Sequence, residues 1–101
     1  MTHIDIFLSH LRIFIREHGI TDDMEGRKIK LLEEAGELYA ALDSGIVKDI
    51  ISEACDVICV CFHILLICGV SNPLWACFLK LEEVTARPKV LKTREKGYNL
   101  P

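Results

Sequence analysis

Four carboxylates fall into two pairs with the same spacing. Glu34 and Glu37 lie within Glu33-Glu34-Ala35-Gly36-Glu37, and Glu53 and Asp56 within Glu53-Ala54-Cys55-Asp56. Residues three apart are neighbours on one face of an α-helix, so each pair projects as a unit. Leu42-Asp43-Ser44-Gly45-Ile46 between them reads as a turn. Helices joined by a short turn run antiparallel, which sets the two pairs facing each other. Four carboxylates at the edge of an apolar core are costly without a partner. Hard divalent cations bound through oxygen supply one. A hard divalent cation is the expected cofactor. Mg²⁺ takes only one or two protein carboxylates per ion, so this many acids imply two or more ions per site.

The elements that must hold these pairs are helical throughout, and no strand pattern is present. The first helix is expected from Thr2 to His18, with Thr2 as cap and Gly19 as stop. Ile4, Phe7, Leu8, Leu11, Phe14 and Ile15 form its apolar stripe, and Ile6 and Ile13 lie on the opposite side. The second is expected from about Asp23 to Asp43, with Asp22 and Glu25 as a capping box. Its core stripe is Leu31, Ala35, Leu38 and Leu42, with Tyr39 beside it. To one side of that stripe stand Arg27, Lys30, Glu34 and Glu37. Lys30, one turn before Glu34, reads equally as a surface ion-pair partner and as a cation for a phosphate beside the metal.

The third helix is expected from about Val47 to Cys68, with Ser44 as its cap. Glu53 and Asp56 share its inward face with Ile50, Val57, Val60, Ile64 and Ile67. His63 stands two turns beyond Asp56, about 10 Å along the axis, and is read as a core or interface histidine rather than a ligand. Ser71-Asn72-Pro73 opens a fourth helix, with proline at the first helical position. It should run to about Ala86 with Leu74, Trp75, Phe78 and Leu81 facing inward. Arg87-Pro88 ends it.

Composition narrows the class. The chain has 101 residues, half of them apolar, with a net charge of −3. It is one folded domain, and the charge argues against binding a nucleic-acid polymer. Residues 86–101 form a basic tail, with Arg87, Lys89, Lys92, Arg94 and Lys96 against Glu95. Such a tail following an acidic body suits a phosphate ligand. Five cysteines, an odd number in apolar helical sequence, read as reduced core thiols of a cytoplasmic protein. Cys59 and Cys61 project to different sides of a helix and make a poor zinc pair. The apolar run 57–70 is too short to span a membrane, and a helix apolar all round is otherwise a buried one. Four short helices cannot cover that much apolar surface, so a homo-oligomer is expected.

Glu-Glu-x-x-Glu, a spacer, then Glu-x-x-Asp on successive helices resembles the MazG-like, all-alpha nucleoside triphosphate pyrophosphatases. The residues are Glu33, Glu34, Glu37, Glu53 and Asp56, with 15 residues between Glu37 and Glu53. The resemblance covers roughly residues 25–85. It implies a four-helix-bundle-like domain over residues 1–85, assembled as a dimer or tetramer. It implies hydrolysis between the α and β phosphates of a nucleoside triphosphate, giving a monophosphate and pyrophosphate. Glu34, Glu37, Glu53 and Asp56 would hold Mg²⁺ or Mn²⁺, and Glu33 or Glu34 would accept a proton from the attacking water. Lys30, Lys80, Arg87, Lys92, Arg94 and Lys96 are the candidate substrate cations. Small free-standing members, several of them phage-borne, often prefer deoxynucleotides, and the lean here is toward purines such as dGTP or dATP.

Two rival readings remain. A di-iron carboxylate bundle wants Glu-x-x-His on two helices, and neither acidic pair has a histidine three or four residues on. A non-catalytic helical interaction or regulatory module would carry the carboxylates only as a solvated face. The inward placement of Glu53 and Asp56 speaks against it.

Overall fold

The computed structural model describes residues 2–20 and 23–87. Four helices make up these residues: α1 (His3–Glu17), α2 (Met24–Ser44), α3 (Val47–Ile67) and α4 (Pro73–Ala86). No strand occurs among the described residues, so the all-α expectation holds.

Local chemistry fixes the helix ends. Thr2 caps α1 in a reciprocal box: its hydroxyl accepts from the Asp5 N–H at 3.2 Å, and the Asp5 carboxylate accepts from the Thr2 N–H at 3.1 Å. At α2 the cap is Asp23, whose carboxylate accepts from the Glu25 N–H at 3.1 Å. The expected Asp22 cap is therefore displaced by one residue, and Asp22 itself lies outside the described residues. Ser44 does not cap α3; it is the last residue of α2, and its hydroxyl donates to the Ala41 carbonyl at 2.8 Å. Ile46 holds the N-cap position without a side-chain bond. Asn72 caps α4 through the Trp75 N–H at 3.0 Å, ahead of Pro73.

Gly45 makes the α2–α3 hairpin. It closes α2 in the left-handed region at φ 73°, donating its N–H to the Ala41 carbonyl, a conformation glycine adopts without the penalty a Cβ brings. The two 21-residue helices then run back along each other and form the closest pairing in the fold. α1 meets the hairpin through a few apolar side chains. Leu8 and Leu11 are buried, and Phe7 meets Phe62 of α3 edge-on with ring centroids 5.7 Å apart. α4 touches α3 only lightly.

Two expected faces are corrected. The inner face of α2 keeps Leu31 and Leu38, both half-buried, but not Ala35 and Leu42. Its buried residues are Glu34 and Ala41, while Ala35 is exposed, Leu42 is 58% exposed and Tyr39 72%. The stripe is rotated because α3 packs along the side that bears the acids. On α4, Leu74, Trp75, Phe78 and Leu81 face outward within one chain, with Trp75 55% exposed. Trp75 stacks on Phe78 at 5.1 Å between centroids. The core-thiol reading is likewise corrected: Cys55, Cys68 and Cys77 are exposed, and only Cys59 and Cys61 are half-buried. All five are unpaired.

α3 spans more than the 14-residue apolar run in the sequence. At 21 residues and a mean hydropathy of 2.2 it is long and apolar enough to cross a membrane by length and composition alone, and little of it is buried within one chain.

Candidate metal centre

The hairpin brings the two carboxylate pairs together. Glu34 and Glu37 on α2 and Glu53 and Asp56 on α3 each offer one oxygen, and these four oxygens all lie within 4.8 Å of one another. The i,i+3 spacing on each helix does this, with Gly45 setting the turn. Glu34 is buried at 6% exposure, Glu53 is half-buried, and Glu37 and Asp56 lie at the solvent edge.

Each Glu34 oxygen has a different environment. Oε1 is 2.8 Å from the Lys30 ammonium. Oε2 is buried and receives no hydrogen bond, and the same holds for Glu53 Oε2. Buried carboxylate oxygens without donors are rare and costly. They belong to two of the four converging carboxylates, and such a group fits a cation: hard oxygen donors, no sulfur, and a net negative charge to neutralise. This is the observation that separates the group from a solvated acidic face.

Crowding bears on Glu37. Glu37 is held above the ordinary glutamate value, first by sharing a hydrogen bond with the Glu53 carboxylate and then by the charge of Glu34. Lys30 is held above the ordinary lysine value by its bonds to Glu34 and then Glu33. Burial pushes the Cys59 thiol up, and the Asp56 charge adds to the effect, so this thiol is a poor nucleophile.

The remaining sequence candidates divide. Glu33 is exposed, outside the group of four, and its Oε1 accepts from Lys30 at 3.2 Å. Lys30 thus serves Glu33 and Glu34 together. Lys80 and Arg87 both turn to Glu83, at 3.4 and 2.9 Å, and neither borders the acidic group's cleft. Lys92, Arg94 and Lys96 lie outside the described residues, as does nearly all of the 86–101 tail. His63 is buried and lies outside the group of four carboxylates.

A cleft of about 250 Å³ opens between α1, α2 and α3. Asp56 and Lys30 line it, joining it to the carboxylate group. Leu11, Phe14, Ile15 and Ile20 give it apolar walls, with Val60, Cys59 and His63 contributed by α3. Arg27 completes the lining, and its Nε is buried without an acceptor. The sequence placed Arg27 on the side of Glu34 without giving it a role. Helical phase sets it on the acidic side, unlike Lys28, but only the fold shows that its Nε is buried.

No protein-family model, curated protein or solved structure matches the chain.

Proposed function

We propose that the chain is a metal-dependent nucleoside triphosphate pyrophosphohydrolase of the MazG-like kind, releasing a monophosphate and pyrophosphate. The observation that carries this reading is the convergence of four carboxylates with two buried oxygens that lack donors. An apolar cleft beside them, bordered by two cations, gives a nucleotide somewhere to lie.

Bound Mg²⁺ or Mn²⁺, in two or more ions, would neutralise phosphate oxygens and make water acidic enough to attack at neutral pH. Water attacks the α phosphorus, the bond from that phosphorus to the bridging oxygen breaks, and pyrophosphate leaves. Glu34, Glu37, Glu53 and Asp56 hold the metal. Lys30 fixes Glu34 from behind, so that one oxygen is anchored and the other is free to ligate. Glu33 or Glu34 takes the water's proton. Deoxynucleoside triphosphates, purines foremost, are the proposed substrates.

The same reading covers the assembly and the location. A homo-oligomer, dimer or tetramer, would cover the outward faces of α3 and α4. A cytoplasmic protein fits five unpaired cysteines. We read α3 as a bundle helix rather than a membrane span, because its Glu53 and Asp56 meet the acids of α2, and carboxylates are expensive inside a bilayer.

Incubation with each deoxynucleoside triphosphate and Mg²⁺, followed by chromatography, tests the reading. Monophosphate plus pyrophosphate is the expected outcome. Diphosphate plus phosphate would make the protein a different nucleotidase, and no turnover of any nucleotide would make it a non-catalytic helical module.

A further inference from the structure

Resting on the pyrophosphohydrolase reading, we propose that the cleft between α1, α2 and α3 is the nucleobase site and that Arg27 selects guanine there. The cleft is smaller than the roughly 300–1,000 Å³ of pockets that take a whole drug-sized ligand. It has room for a flat ring but not for a ring and a triphosphate together. Its walls of Leu11, Phe14, Ile15 and Ile20 suit an aromatic face and offer nothing to phosphate oxygens. Asp56 borders it, so a base lodged there leaves its phosphates at the carboxylate group.

Arg27 gives the cleft its chemical preference. It lies three residues before Lys30 on α2, about 4.5 Å further from the acids along the axis. Its Nε is buried and has no acceptor within the chain. An unmet guanidinium donor at a cleft with apolar walls, whose other cation Lys30 is already bonded to Glu33 and Glu34, awaits a ligand acceptor. Guanidinium carries donors only, in a planar fork. The base edge that matches the fork is guanine O6 and N7, two adjacent acceptors. Adenine places an amino donor where guanine has O6, which sets donor against donor. A site built to hydrogen-bond a group discriminates strongly against the analogue lacking it.

Initial rates with the four deoxynucleoside triphosphates and 7-deaza-dGTP, under saturating Mn²⁺, test this without a variant. The wild type should favour dGTP over dATP about tenfold or more in kcat/KM, and losing N7 should cost a similar factor. Arg27→Met and Arg27→Lys should both bring dGTP down toward dATP, because lysine keeps the charge but loses the fork. Calorimetry should show dGMP binding weakened in both variants while the Mn²⁺-induced rise in Tm stays. Equal wild-type rates on all four nucleotides would overturn the inference and leave the pyrophosphohydrolase standing. A uniform loss on all four in the variants would also overturn it, placing Arg27 on phosphate. A wild type that hydrolyses none of them would overturn the proposed function itself.

Discussion

Glu34 is held from one side only. Lys30 bonds one oxygen at 2.8 Å, the other oxygen is buried without a donor, and three more carboxylates stand close by. Without metal the crowding is felt at Glu37, whose carboxyl is held above the ordinary value of 4.5 by its hydrogen bond with Glu53 and the charge of Glu34. A folded pKa raised above the unfolded one contributes stability that is complete below the unfolded pKa. That stability is lost as pH rises through the folded value. The metal-free Tm of wild type relative to Glu37→Gln should therefore fall as pH rises above the ordinary glutamate range. Saturating Mn²⁺ should abolish or reverse that fall, because metal needs its carboxylates ionised. Parallel melts of both proteins across pH check this, and identical pH profiles would remove the crowding. The four acids were legible in the sequence because i,i+3 spacing fixes direction on any helix. Arg27 was not, since what marks it is a buried Nε without an acceptor, a property of the fold.

At the scale of the elements, one glycine sets the site. Gly45 lets α2 reverse into α3 at φ 73°, and nothing lies within 4 Å of where a Cβ would stand. Gly45→Ala is thus strained by backbone conformation alone, at about 1–2 kcal/mol, or roughly 4–8 °C in Tm per kcal/mol for a domain of this size. Metal affinity should persist, because the hairpin's packing still places the four acids. Calorimetric melting with a Mn²⁺ titration checks both. An unchanged Tm would mean that the turn does not govern the hairpin. The helix ends were readable to within a residue or two, from Thr2, Gly45 and Asn72-Pro73. The inner face of α2 was readable only in part. Apolar periodicity found the half-buried Leu31 and Leu38 but also pointed to the exposed Leu42, whereas the fully buried residues are Glu34 and Ala41. Hydrophobic pattern reports the core only where the buried face is apolar, and here that face carries the acids.

For the molecule as a whole, the surface of one chain is unfinished. Trp75 and Phe78 stack in the open, and a groove of about 500 Å³ beside them, with Leu74, Leu81 and Ile4, has no charged residue in its lining. α3 exposes Ile51 and Ile58 as well. Apolar surface on this scale marks an interaction site. A homo-oligomer is the proposed solution, and light scattering should find no stable monomer at about micromolar concentration. Trp75→Lys together with Phe78→Lys should shift the population to smaller species. A wild type that stays monomeric would contradict the assembly. The sequence identified which α4 residues share a face. It could not tell whether the covering neighbour belongs to the same chain, because periodicity carries no information about the partner.

The carboxylate group is the centre of the account, and Glu53→Gln tests it most directly. The substitution nearly keeps shape, removes one charge from the group, and gives the crowded Glu37 carboxylate an amide donor in place of an acid. In wild type, Mn²⁺ at a hundred times its dissociation constant should stabilise the fold by about 2.7 kcal/mol. Differential scanning calorimetry of both proteins, with and without Mn²⁺, should show opposite effects. The metal-free variant should melt no lower than wild type, while its stabilisation by metal shrinks and pyrophosphate release is nearly lost. A variant that melts lower than wild type with and without Mn²⁺, yet keeps its pyrophosphate release, would contradict the carboxylate centre.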